Sequence, residues 1–455
     1  MEKQIKKNEE YVVDIIDYGM EGEGIAKIDN FTIFILNAMK GEKVKIVIVK
    51  VLSSYAYGKV IEILEKSPSR LESDCNTYKR CGGCNLRHIE YEETLNIKQE
   101  MVQNLINKSF ENNVIKVNKT IGMGNPYHYR NKAQYPIGLN KQGEPVIGVF
   151  AERTHEIISI NGCLIQQTVS EQIAYAIYKF VKENNISVYN EERTEGLLRH
   201  IVVKVGIRTG EIMCILVING NKIPKEQELV EMLVKRFNVK TIVKNINKKN
   251  TNVILGEQNI VIHGDGYIYD ILGDYTFKIS PMSFYQVNPI QTEKLYSAAI
   301  KGAGLTGKET IFDLYCGIGT IGICALNKAN YLYGIETVPQ AIEDAKENAR
   351  INNIKNAEFI VGNVEDKLPK LIKEKNIKPD VVFIDPPRKG CDKIAIETLL
   401  KIGAKKIVYI SCNPATLARD LVKLKEKYEI KEVQPVDMFP FTSHVEVVSL
   451  LSIKK

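Results

Sequence analysis

At 455 residues the chain exceeds what one hydrophobic core usually organises, so two to four domains are expected. Its 44% apolar and 26% charged residues are ordinary for a globular protein; no run approaches the roughly 18 apolar residues of a membrane span, and the opening MEKQIKKNEE lacks the apolar core of a secretion signal, so a cytoplasmic protein without a membrane or obligate protein partner is expected. The net charge of +7 suits a polyanion, although residues 1–70 balance eleven Lys or Arg against eleven Asp or Glu, and the odd count of nine cysteines argues against a disulfide framework and for metal ligation or catalysis.

Residues 10–64 read as short strands, YVVDIIDYG, GEGIAKI, FTIFIL, EKVKIVIVKVL and YAYGKVIEIL, separated by turns rich in Gly, Asp and Asn. They predict a small closed barrel of OB-like type over residues 1–66. SPSRLES at 67–73 marks a linker, and three cysteines follow at once. Cys75, Cys81 and Cys84 are spaced C-x5-C-x2-C, with Gly82 and Gly83 letting the backbone fold closely around an inorganic centre; Cys163 is the candidate fourth thiolate. Four thiolates suit a [4Fe-4S] cluster and tetrahedral zinc alike. Asn125 to Lys132, NPYHYRNK, joins three rings to two cations, a set that serves base stacking and phosphate contact or is a mixture of core and surface. Strands HIVVKVGI and EIMCILVING and the amphipathic helix SEQIAYAIYKFVKENN make residues 74–280 an α+β region. The densest basic run, Lys235, Arg236, Lys240, Lys244, Lys248 and Lys249, is either an anion contact or a solvated face.

From about residue 285 strands and helices alternate regularly, which implies a parallel sheet covered by helices on both faces over residues 281–455. After ETIFDLY comes Cys316-Gly317-Ile318-Gly319-Thr320-Ile321-Gly322, and nineteen residues past Gly317 the strand YLYGIE ends in Glu336. A tight glycine turn and an acid that accepts both ribose hydroxyls indicate a nucleoside-containing ligand. The glycines also satisfy the dinucleotide fingerprint, which keeps a nicotinamide dehydrogenase as an alternative. Asp313 favours S-adenosylmethionine, since a carboxylate there can meet the donor's ammonium. Strand DVVFID ends in Asp385-Pro386-Pro387-Arg388, where two prolines fix the acid at the carboxyl edge of the sheet.

KIVYIS runs into Ser411-Cys412-Asn413-Pro414, which sets a thiol on a strand-to-helix turn of that edge, beside a helix N-terminus that favours thiolate. Carbon 5 of uracil is too weak a nucleophile to take a methyl group directly, but thiolate addition at carbon 6 makes an enolate that does. Removal of the carbon 5 proton then needs a general base. Glu446, between two valines in HVEVV, is the candidate, with burial expected to raise its pKa; His444 is its rival.

Taken in order, Phe284-Tyr285-Gln286-Val287-Asn288, Asp313-Leu314-Tyr315-Cys316-Gly317, Gly334-Ile335-Glu336, Asp385-Pro386-Pro387-Arg388, Ser411-Cys412-Asn413-Pro414 and His444-Val445-Glu446 resemble the RNA uracil-5 methyltransferases over nearly the whole chain, most closely the 23S ribosomal RNA members with an iron-sulfur cluster. The resemblance implies a class I, Rossmann-like methyltransferase domain behind a TRAM barrel, structured RNA as partner, Gln286, Tyr315, Glu336 and Asp385 on S-adenosylmethionine, Cys412 as nucleophile and Glu446 as base. It also favours a [4Fe-4S] cluster on Cys75, Cys81, Cys84 and Cys163. Two departures stand out: Asn363 replaces an acid common after the third strand, and the barrel lacks the positive charge that phosphate binding calls for, with Lys27, Lys40 and Lys59 left to form a basic face. Radical enzymes that use the same donor, transfer RNA methylation and a non-catalytic RNA-binding protein of this fold are the rival readings.

Overall fold

The computed structural model describes residues 5–110, 115–152 and 154–455. Alternating apolar and polar residues at the N-terminus fold as β1 (Glu10–Asp14), β2 (Asp17–Tyr18), β3 (Gly24–Ile28), β4 (Phe31–Leu36), β5 (Lys43–Val51) and β6 (Tyr55–Glu65), in the order β1-β5-β6-β4-β3-β2. The run expected as one first strand breaks at Ile15 and Ile16. Its first half pairs with β5 and its second with β3, which closes the barrel around Ile33, Ile35, Val44, Ile46 and Ile48. The outer side of β4 and β6 carries Phe34, Tyr55 and Tyr57, with ring centroids 5.4 to 6.0 Å apart. Strand register puts Lys27 and Lys59 on that side, whereas Lys40 pairs with Glu100 of the following helix at 2.8 Å.

That helix, α1 (Tyr91–Ser109), precedes β7 (Lys132–Leu139), β8 (Pro145–Ile147), β9 (Val149–Phe150), β10 (Ile157–Ile158), α2 (Thr168–Glu183), β11 (Leu198–Val205), β12 (Ile212–Ile218), α3 (Glu226–Phe237), β13 (Thr241–Ile246) and β14 (Gln258–His263). Six of these strands form a sheet in the order β14-β13-β12-β11-β7-β8. Both faces of β11 and β12 are covered, so β12 reads as a continuous apolar run and even the polar residues of β11 are buried. Ile201, Val203, Cys214 and Leu216 pack with Ile173, Ile177, Leu229 and Leu233 of α2 and α3, while Val202, Met213, Ile215 and Val217 share a core with the C-terminal unit. The basic run divides: Lys244 is buried against Glu226 and Lys249 pairs with Glu257, whereas Arg236 lines a groove of about 960 Å³ with Lys179 and Lys182.

The C-terminal unit comprises β15 (Ile268–Leu272), β16 (Tyr275–Ile279), α4 (Pro289–Ala303), β17 (Thr310–Leu314), α5 (Thr320–Leu326), β18 (Tyr331–Glu336), α6 (Pro339–Ile351), β19 (Ala357–Val361), α7 (Val364–Lys375), β20 (Val381–Ile384), α8 (Lys393–Ile402), β21 (Lys406–Ser411), α9 (Pro414–Leu424), β22 (Tyr428–Val436) and β23 (Glu446–Ile453). The main sheet runs β19-β18-β17-β20-β21-β23-β22. Five strands are parallel as expected, but β23 is antiparallel to β21 and β22 is antiparallel to β23. No helix separates β22 from β23, and only a parallel neighbour needs a long crossover. Packing crosses the expected boundaries: Val102 and Ile106 of α1 lie on Leu417 and Leu421 of α9, and the β15–β16 hairpin shares a core with Ile311 and Phe383. Among the described residues no helix is long and apolar enough to cross a membrane.

Candidate active site

The chain winds outward from β17 to β18 and β19, then returns to place β20 on the other side of β17. The carboxyl ends of β17 and β20 therefore flank the crevice where open α/β sheets take ligands. Tyr315 follows β17, Glu336 ends β18 and Asp385 follows β20, so three of the expected donor contacts share one edge. Tyr315 is held at φ 64°, a left-handed conformation that costs a bulky residue energy and marks functional sites. Glu336 is fixed at the loop, its Oε2 accepting from the Gly317 N–H at 3.2 Å and its Oε1 from the Thr337 N–H at 2.7 Å. Gly322 permits the close approach of α5, since a Cβ there would lie 2.8 Å from Asp313 Oδ2. Asp313 lies buried beneath the loop, its Oδ2 accepting from the Gly322 N–H at 2.9 Å and its Oδ1 without a partner among the described residues. Burial first, then the charges of Asp385 and Glu336, push its carboxyl up to about 8.

Gln286 comes from the segment before α4 and is held there by the central sheet. Asn131 Nδ2 donates to the Gln286 carbonyl at 2.9 Å, and the buried Lys204 Nζ donates to the carbonyls of Ser280, Pro281 and Ser283 at 2.9, 2.9 and 3.0 Å. Asn288 caps α4 by accepting from the Gln291 N–H at 3.2 Å, with Pro289 opening the helix. Phe284 of the same segment is 66% exposed.

Asn413 and Pro414 repeat that device for Cys412. Asn413 Oδ1 accepts from the Ala415 N–H at 3.1 Å, and its Nδ2 donates to the Arg388 carbonyl at 3.1 Å, tying the cysteine turn to the Asp385–Arg388 loop. Ser411 pairs with Val447 across β21 and β23, so the same register sets Cys412 opposite Glu446. Such cross-strand neighbours have Cβ atoms about 5 Å apart. Burial first, then Glu446 and Asp385, push the Cys412 thiol up to about 11, against the pull of Arg388. Glu446 is 4% exposed and its Oε2 has no partner among the described residues; burial, then Asp385, raise its carboxyl as expected. His444 is exposed.

Cys75, Cys81, Cys84 and Cys163 line one cavity of about 50 Å³. The Gly83 N–H donates to Cys81 Sγ at 3.3 Å, and burial, with the other three cysteines adding, pushes Cys84 up to about 12. Among the described residues no three His, Cys, Asp or Glu side chains are grouped to hold a single metal ion. The NPYHYRNK stretch mixes core and surface: Tyr129 is buried and donates to the Pro440 carbonyl at 3.1 Å, while His128 is exposed and so is Tyr127, its ring centroid 5.5 Å from that of Phe441. Sequence reasoning missed Lys204, Asn131 and the buried Lys98–Asp437 pair at 2.5 Å, whose Lys98 also donates to the Phe439 carbonyl ahead of Glu446.

The tRNA (uracil-5-)-methyltransferase family model matches residues 90–454, and the TRAM domain matches residues 4–61. The chain is 50% identical to an uncharacterized RNA methyltransferase of Clostridium acetobutylicum and 47% identical to one of Staphylococcus aureus, each alignment covering 99% of both chains. It is also similar to the crystal structure of Pyrococcus abyssi tRNA (uracil-54, C5)-methyltransferase in complex with S-adenosyl-L-homocysteine, with TM-score 0.77 and 27% identity over 97% of this chain and 100% of that one. A glycine turn and carboxylates at the switch point, a thiol opposite a buried acid and an N-terminal barrel thus belong together, and the chain is a member of the tRNA (uracil-5-)-methyltransferase family, an S-adenosylmethionine-dependent RNA uracil-5 methyltransferase with a TRAM domain.

Proposed function

We propose that the chain methylates carbon 5 of a uridine in 23S ribosomal RNA, with Cys412 as nucleophile and Glu446 as base; the observation that carries the chemistry is the cross-strand placement of that thiol opposite that buried acid. Gln286, Tyr315, Glu336 and Asp385 would hold S-adenosylmethionine, and an edge whose carboxyls are raised by one another's charge suits a cationic ligand. Bound there, the donor supplies an electrophilic methyl group. Once its proton has passed to solvent, Cys412 Sγ bonds as thiolate to C6 of the uracil, moving the C5=C6 electron pair into an enolate whose C5 takes the methyl. Glu446 removes the C5 proton, C5=C6 re-forms, and the Sγ–C6 bond breaks to return the thiolate. Such access requires the uridine to leave its stack, which is cheapest in a loop or bulge. Phe34, Tyr55, Tyr57, Lys27 and Lys59 give the barrel a face suited to unpaired RNA.

The preference for ribosomal RNA rests on the likeness of the four-cysteine chain with a barrel to cluster-bearing ribosomal enzymes; the family description and the Pyrococcus neighbour favour transfer RNA as the second reading. Mapping 5-methyluridine in total RNA from cells lacking the protein decides between them. Loss of one 23S position supports the first reading, loss in transfer RNA the second, and loss in neither overturns both. The likeness to cluster-bearing enzymes favours a [4Fe-4S] cluster over zinc on the four cysteines that line this cavity. A cluster there would brace the cysteine loop against the Cys163 turn. Cys81→Ser is expected to bleach brown absorbance at about 400 nm in purified protein; colour that persists rejects that ligand.

A further inference from the structure

Residues 437–445, which lead into the strand bearing Glu446, form neither helix nor strand, and residues next to the cysteine loop bind the segment at Phe441 and Ser443. Next to Cys84, the Asn85 N–H donates to the Phe441 carbonyl at 3.1 Å and the Leu86 N–H to the same oxygen at 3.0 Å. The Asn85 side chain grips Ser443 twice, Oδ1 accepting from its N–H at 2.8 Å and Nδ2 donating to its Oγ at 3.1 Å. That Nδ2 also donates to the carbonyl of Glu21 in the barrel. Phe441 sits at φ 65°, left-handed and costly for an aromatic residue, with the Arg87 guanidinium 4.2 Å over its ring. Such a conformation persists only where its surroundings over-determine it. Lys98, Tyr129 and Asn288 anchor residues 437–440 further back; Asn85 reaches the last turn before the acid. Among the described residues no group bonds Glu446 Oε2, so its aim is inherited from this backbone.

We infer that Asn85 is a positioning residue for Glu446: by clamping Ser443 and the Phe441 carbonyl it sets where β23 begins, and so how readily the acid reaches the C5 proton of the methylated adduct. The barrel and the cysteine site meet the chemistry at this joint. The inference rests on the reading of Cys412 as nucleophile and Glu446 as base.

The test is single-turnover transfer of labelled methyl from S-adenosylmethionine to total RNA from cells lacking the protein, using the full-length protein with its cysteine site loaded. Label is followed separately in the denaturant-stable protein–RNA complex and in free RNA. Asn85→Ala is expected to form the labelled complex near the wild-type rate but to release product about 10- to 100-fold more slowly, accumulating complex as Glu446→Gln does. Asn85→Asp, which keeps the acceptor for the Ser443 N–H, should recover part of the release rate. Formation and release that slow together, or wild-type release from Asn85→Ala while Glu446→Gln stalls, overturns the inference alone. Wild-type release from Glu446→Gln overturns the base and the inference with it. Should Asn85→Ala not fold, Ser443→Ala removes one of the two grips and is judged by the same outcomes.

Discussion

Cys412→Ala is expected to lose methyl transfer by on the order of 10⁴-fold or more, since without the thiol no enolate forms at C5. It is also expected to form no denaturant-stable complex with RNA in which 5-fluorouridine replaces uridine. The wild-type enzyme should trap that RNA, because methylation leaves fluorine where the departing proton would be, and the adduct cannot collapse. RNA binding should survive, as Cys412 is one half-buried side chain at the sheet edge and the barrel face lies elsewhere. The alternatives within the chain are poor: Cys214, Cys316 and Cys391 are buried, Cys324 of α5 packs against the core, and four other cysteines line the separate cavity. Cys412→Ser should not substitute, because a hydroxyl is a much weaker nucleophile than a thiol at neutral pH. Undiminished methylation by Cys412→Ala sinks the assignment.

The edge that carries this chemistry was legible because each of its residues follows a strand at a motif. Asn413-Pro414 announces a helix start, and that start fixes the residue before it; Asp385 and Glu336 are strand ends visible as breaks in apolar runs. The barrel was legible for the same reason, its period of two surviving between Gly and Asp turns. What escaped was contact without local signature. Asn85 meets Ser443 across 358 residues, Lys98 meets Asp437 across 339, and Lys204 looks like an ordinary strand lysine until it caps three carbonyls. Tyr129 reads as a stacking ring beside Tyr127, yet tertiary packing buries it. The upward push on the thiol also escaped, since a helix N-terminus is visible in sequence whereas two neighbouring carboxylates and burial are not.

Glu446→Gln is expected to leave attack and methylation intact while slowing release of product by about 10²- to 10⁴-fold, the range of a lost general base, so that a methylated protein–RNA complex accumulates. Only the carboxylate form accepts the C5 proton, and burial with the charge of Asp385 holds that carboxyl at about 8. Wild-type release should therefore quicken as pH rises through neutrality and level off above about pH 8, a slope the Gln variant lacks. The same shift predicts a stability change of defined sign. An unfolded chain ionises this carboxyl near its ordinary 4.5, whereas the fold keeps it protonated to about 8, so the native state loses stability between those limits and carries the full penalty above them. Gln removes that penalty, and the variant should melt about 2–4 °C higher than wild type at pH 8.5 but not at pH 4.5. Arg388, which draws both Glu446 and Cys412 toward their charged forms, should when replaced by Ala move the release profile to higher pH. A Gln variant that releases product normally and gains no stability in alkali would show that the buried acid neither takes the proton nor strains the fold.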